Sequence, residues 1–161
     1  MAKVPLTFAC GLYDRTLPLA TGAVQVEGVD LNFINIDSPR EIFDRMAGGQ
    51  EFDACEFSSS EFISRFSANQ CPFVALPVFP SRAFRHGFIA VNRNVIRTPK
   101  DLEGKRIGLP LYTQSAALWV RGHLTSQYGV DFSRVKWVQG AVESADTHGK
   151  PSAPPLLVPI E

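Results

Sequence analysis

Short apolar runs alternate along this chain with single stretches of helix length, and that alternation restricts the fold more than any other feature. Residues 6–10 read as a short strand, and VDLNFINI (29–36) begins with a strand's period of two and ends apolar on both faces, as a buried strand does. Directly after it, Ser38-Pro39-Arg40-Glu41 offers a capping serine, proline at the first helical position and glutamate at the third, which is a capping box. Ile42, Phe43, Met46 and Ala47 follow as an apolar stripe at helical spacing, with Gly48-Gly49 predicted to stop the helix. Residues 52–57 form the next apolar run, and Ser58-Ser59-Ser60-Glu61 makes a second capping box ahead of Phe62, Ile63 and Phe66. Residues 73–79 and 88–92 read as two further strands. After a turn at 99–105, residues 106–109 read as a strand and 134–138 as another. Between them Ser115 caps a helix carrying Ala117, Val120, Leu124 and Tyr128, closed by Gly129. Strands separated by single helices imply right-handed crossovers, so the expected class is α/β, a mainly parallel sheet with flanking helices.

From about residue 143 the pattern breaks. Four of the chain's 12 prolines fall in the last 11 residues, and residues 143–161 read as a linker or tail. The segment ends in the apolar LLVPI, which would normally lead into another element, so the chain reads as the front part of something longer. A disordered tail is the competing view.

Lys+Arg and Asp+Glu are equal at 16 each, which removes the bulk electrostatic case for nucleic acid or an anionic membrane as partner. No apolar run approaches the ~20 residues that span a bilayer, so membrane insertion is not expected. The opening MAKVPLTFACGLYDR holds one lysine and no apolar block of signal-peptide length, which predicts a cytoplasmic protein. Cys10, Cys55 and Cys71 sit singly, without metal-ligand spacing against the three histidines, and read as reduced, mostly buried small hydrophobes. No metal and no cofactor is expected.

In open α/β sheets, ligands bind beyond the carboxyl ends of the strands, where helix N-termini present free amides. Four polar clusters fall at such ends: Tyr13-Asp14-Arg15, Ser58-Ser59-Ser60, Ser81-Arg82 through His86, and Tyr112-Thr113-Gln114-Ser115. The third sets Arg82, Arg85 and His86 between two apolar segments. Guanidinium forks match carboxylates bidentately, and imidazole exchanges a proton near neutral pH, so this run suits a small, flat, anionic ligand. The plain alternatives are a solvated turn for the Arg-His run and simple helix caps for the serines. Asp14 reads as a partner of Arg15 or a cap, and His123 and His148 as bystanders on a helix and in the tail.

FPSRAFRHGFIAVN, with LEGKRIGLP, TQSAALWVRGHL, the opening LTFACGLYDRTLPLATGAV and SPREIFDRMAGGQEFDACEFSSSEFI, resembles the 4,5-dihydroxyphthalate decarboxylase family over residues 5–142. GKRIG is shared with most substrate-binding proteins and distinguishes little; the Arg-His run and LYDRT are more specific. The resemblance implies a type-2 periplasmic-binding-protein-like fold: a first lobe over 1–94, the start of an incomplete second lobe over 95–142, and hinge closure over a small ligand. Family members are about twice as long. In the enzyme reading, Arg82 and Arg85 hold the carboxylates of an aromatic diacid in phthalate catabolism, and His86 protonates the ring carbon that loses CO2. Tyr13, Arg15, Ser58, Ser59, Tyr112, Gln114 and Ser115 complete the binding set, with Tyr13, Ser59 and Gln114 on the ring hydroxyls or the remaining carboxylate. In the other reading, the same residues hold an organic anion for an ABC-type transporter without catalysis. The partner is a small anionic aromatic molecule, and a homo-oligomer is left open.

Overall fold

A computed structural model describes residues 2–140, which are α/β with every strand pair parallel. These residues divide into two compact units, 2–58 with Phe73–Arg82, and Ser59–Pro72 with Ala83 onward. The expected tail at 143–161 lies outside the described residues.

The first unit is built on β1 (Val4–Cys10), which runs between β2 (Val29–Asn35) and β3 (Ala54–Cys55). Val4 lies opposite Val29 and the register holds through Cys10 opposite Asn35, while Phe8 and Ala9 face Ala54 and Cys55. The short helix α1 (Leu17–Ala20) carries the chain to β2, and α2 (Pro39–Gly49) carries it to β3. Parallel neighbours cannot be joined by a tight turn, so each needs such a crossover. Ala9, Ile36, Ile42 and Phe52 are buried together, with Ile34, Phe43, Met46 and Cys55 packed around them. The helical stripe read from the sequence is thus the face that covers the sheet.

The start of α2 agrees with expectation only in part. Ser38 occupies the N-cap in extended conformation with Pro39 next, yet its side chain makes no capping bond. Gly48-Gly49 do not end the helix. It continues through both, and Gln50 takes the left-handed position at φ 49°. Arg45 reaches forward to Glu51 at 2.8 Å, which fixes the reversal one residue beyond the glycines.

The second unit contains α3 (Ser59–Ser67), β4 (Arg106–Leu109), α4 (Ser115–Tyr128) and β5 (Lys136–Gln139). Strands β4 and β5 pair in parallel from Arg106 opposite Lys136 to Leu109 opposite Gln139. Leu102, Leu124 and Val130 form the core, joined by Ile89, Ile96, Ile107, Val120 and Phe132. Gly129 closes α4 at φ 63°, where a side chain would be strained. The N-cap is Gln114 rather than Ser115, which is the first helical residue.

Two expected strands do not form. Residues 73–79 are irregular, and 88–92 are replaced by a 3-10 turn at His86–Phe88 followed by irregular chain. Pro72, Pro77 and Pro80 withhold backbone donors, and a strand without a neighbour has nowhere to place the rest. The alternating apolar residues there point outward: Val74, Leu76 and Val78 are 89%, 72% and 70% exposed. The run at 52–57 yields only the two residues of β3. The last strand starts at Lys136, two residues later than expected, because Asp131 accepts from the Ser133 N–H and holds Phe132–Arg134 in a 3-10 turn.

Candidate functional site

In the first unit the strand ends carry one tightly bonded group. Beyond β1, Gly11 N–H donates to Glu56 Oε1 at 2.8 Å, and the Tyr13 hydroxyl donates to Glu56 Oε2 at 2.8 Å. Glu56 follows β3 directly; its own N–H bonds to the Ala9 carbonyl at 3.0 Å, continuing the ladder. The carboxylate is held by two donors from the turn that follows β1, and Glu56 is only 6% exposed. Thr16 completes the turn: its Oγ1 donates to the Gly11 carbonyl at 2.8 Å and accepts from Tyr13 N–H at 2.9 Å.

Arg15 packs its guanidinium over the Tyr13 ring, 5.3 Å from the centroid. It bonds Asp14 at 2.9 Å, the pairing expected for that acid, and Nε donates to the Pro80 carbonyl at 2.5 Å. Arg15 thereby ties down the segment that leads to Arg82. Burial first, then the hydrogen bond to Glu56, pushes the Tyr13 phenol up to about 12, while a hydrogen bond from Ser81 partly opposes this. Burial and the charge of Glu56 likewise raise the Cys10 thiol to about 12 and the Cys55 thiol to about 11. These cysteines are inert small side chains in a negative, dry setting.

In the second unit the starts of α3 and α4 meet. Ser60 Oγ donates to the Thr113 carbonyl at 2.6 Å and lies 3.0 Å from Ser115 Oγ, with Ser59 Oγ 3.4 Å from the same atom. Ser115, expected to cap α4, and Ser59 and Ser60 of the second capping box therefore clasp the two helix starts to each other. Behind them Glu61, 5% exposed, pairs with Arg65 one turn on at 3.1 Å. Tyr112 N–H is held by Gln139 Oε1 at 2.8 Å, and Arg121 stacks 3.8 Å from the centroid of the Tyr112 ring while donating to its carbonyl at 3.0 Å. Burial lowers the Arg121 pKa.

His86 sits on the 3-10 turn with its ring centroid 4.9 Å from that of His123, and Arg85 lies over Phe88 at 5.3 Å. Both imidazoles line a mainly apolar cavity of about 310 Å³ within this unit, with Ile89, Ile96, Leu102 and Val120 among its walls. His123, read from the sequence as a bystander, is a direct neighbour of the proposed proton donor.

Of the expected site residues, Tyr13, Arg15, Ser58 and Arg82 belong to the first unit; Ser59, Arg85, His86, Tyr112, Gln114 and Ser115 belong to the second. Arg82 is exposed on irregular chain. Glu56 was missed. Its signal is an acid at the carboxyl end of an otherwise apolar run, FDACEF, where a strand should hand over to a ligand-facing turn.

The family described as NMT1/THI5 like matches residues 25–149. The chain belongs to that family. This NMT1/THI5-like chain is also 45% identical over 144 residues to a 4,5-dihydroxyphthalate decarboxylase of Comamonas testosteroni, covering 89% of this chain and 43% of the relative. A protein of the same name from Pseudomonas putida is 44% identical over 144 residues, covering 89% of this chain and 55% of the relative. The resemblance carried by the Arg-His run and LYDRT is borne out by these relatives. The chain spans about half the length of the two. Among the described residues, no helix is long and apolar enough to cross a membrane, and no three His, Cys, Asp or Glu side chains are grouped to hold a metal ion.

Proposed function

We propose that this chain serves a carboxy-lyase that removes CO2 from a small aromatic dicarboxylate of the 4,5-dihydroxyphthalate type. The observation that carries this reading is the 45% identity to a named decarboxylase across 89% of the chain. In this reading, Arg82 and Arg85 grip the ligand's carboxylates as bidentate forks, which a lysine cannot reproduce. Loss of CO2 from an aromatic ring leaves an electron pair on carbon that must take up a proton. His86 donates it, from the wall of a mainly apolar cavity that it shares with His123. Ser59, Tyr112, Gln114 and Ser115 complete the binding set, and the chain forms a first lobe and the start of a second, in a periplasmic-binding-protein-like arrangement.

The test is CO2 release from 4,5-dihydroxyphthalate by the protein and its His86→Gln variant. Diacid binding within a few-fold of the parent, with turnover reduced on the order of 10²-fold or more, is the expected pair of results. Tight binding without CO2 release from either protein would instead make the chain a receptor for an organic anion.

A further inference from the structure

Glu56 takes no part in that scheme, yet it is the most enclosed carboxylate at the strand ends of its unit. Both of its oxygens act as acceptors, one for Gly11 N–H and one for the Tyr13 hydroxyl, each at 2.8 Å. Among the described residues, none of the ion pairs includes Glu56, and Arg15 pairs with Asp14. The space around the pair is closed on the backbone side: a Cβ added at Gly11 would lie 3.3 Å from Glu56 Oε1 and 3.3 Å from the Tyr13 ring. Glycine is what lets the carboxylate and the phenol approach the end of β1 together.

A phenol has one proton and two lone pairs. With the proton committed to Glu56, what Tyr13 offers a ligand is a lone pair. We infer that Glu56 makes Tyr13 an obligate hydrogen-bond acceptor, so that this end of the site takes a ligand hydroxyl and refuses a carboxylate. A carboxylate placed there would find no proton to share and a second carboxylate behind the phenol. An aromatic O–H would find an acceptor strengthened by the bond to Glu56, because successive hydrogen bonds polarise one another. Glu56 is in these terms a specificity-determining and positioning residue acting through Tyr13. The inference rests on the reading of a dihydroxylated aromatic diacid as ligand, and assigns the selection of its ring hydroxyl to Tyr13 and Glu56.

Calorimetric titration of the parent, Glu56→Gln and Tyr13→Phe with 4,5-dihydroxyphthalate and with phthalate, which lacks the hydroxyls, separates the possibilities. The parent is expected to favour the dihydroxy ligand on the order of 10-fold or more, since a site built to bond a hydroxyl discriminates against its absence. Each variant is expected to lose most of that preference through weaker binding of the dihydroxy ligand, with phthalate affinity moved by no more than a few-fold. If Glu56→Gln fails to fold, Glu56→Asp, which draws the oxygens away from the phenol, is read by the same ratio. An unchanged ratio in the variants, or both ligands weakened alike as a merely structural residue would do, overturns the inference while leaving the diacid reading standing. A parent that binds neither diacid overturns the diacid reading itself, and the inference with it.

Discussion

Cys10, Cys55 and Tyr13 surround Glu56, and all three are held in their neutral forms above their usual range. Each is an acid whose folded pKa exceeds its ordinary one: 9.0 against about 12 for Cys10, 9.0 against about 11 for Cys55, and 10.0 against about 12 for Tyr13. Above pH 9 the unfolded chain therefore releases protons that the folded one retains. The stability held in these groups is complete below pH 9 and is lost as pH climbs from 9 through 12. Denaturant midpoints measured across that window should fall steadily in the parent and fall less in a Cys10→Ala, Tyr13→Phe double variant. A variant that tracks the parent at every pH would refute this. Tyr13 and Glu56 show how far single residues could be read in advance. Tyr13 stood out as a polar residue past a strand, whereas Glu56 looked like one acid in a short run, and its importance depends on β1 and β3 becoming neighbours.

Elements were legible where one periodicity sufficed. The stripe Ile42, Phe43, Met46 in α2 and the pattern Val120, Leu124 closed by Gly129 in α4 both face their cores as expected. Elements failed where a partner decides the outcome. Residues 73–79 have strand-like alternation but three prolines at 72, 77 and 80 and no neighbour, so propensity alone misreads them. The cap expected at Ser115 failed for a related reason: Gln114 takes the N-cap, and Ser115 instead meets Ser60 across two helix starts that are distant in sequence. Since α2 contributes the fully enclosed Ile42, truncating it tests the packing directly. Ile42→Ala should lower unfolding stability by about 2–5 kcal/mol, seen as a shifted urea midpoint, as lost burial and an unfilled cavity add. A shift under about 0.5 kcal/mol would mean that the helix does not cover the sheet.

On the scale of the whole molecule, the two sheets differ in how well their strands are enclosed. β1 is paired along both edges, whereas among the described residues β4 and β5 have only each other. An isolated two-stranded sheet is marginal, and exposed edges exchange their amide protons readily. Hydrogen exchange should therefore protect Leu6 to Cys10 more strongly than Ile107 to Leu109 or Trp137 to Gln139. Equal protection in both sheets would contradict the assignment of β4 and β5 as edge strands.

The central place of β1 also has a consequence in time. Its outer partner β2 ends at Asn35, and its other partner, β3, ends at Cys55, 45 residues after Cys10. At a synthesis rate of about 5–20 residues per second, the ribosome delivers that second partner roughly two to nine seconds after β1 is made. Both edges of Phe8, Ala9 and Cys10 are open until β2 is made, and one stays open until β3 follows, available to any other extended chain in the cell. The strand that ends up best protected is thus the one left waiting longest, and the nascent protein depends on its environment most before residue 55 emerges.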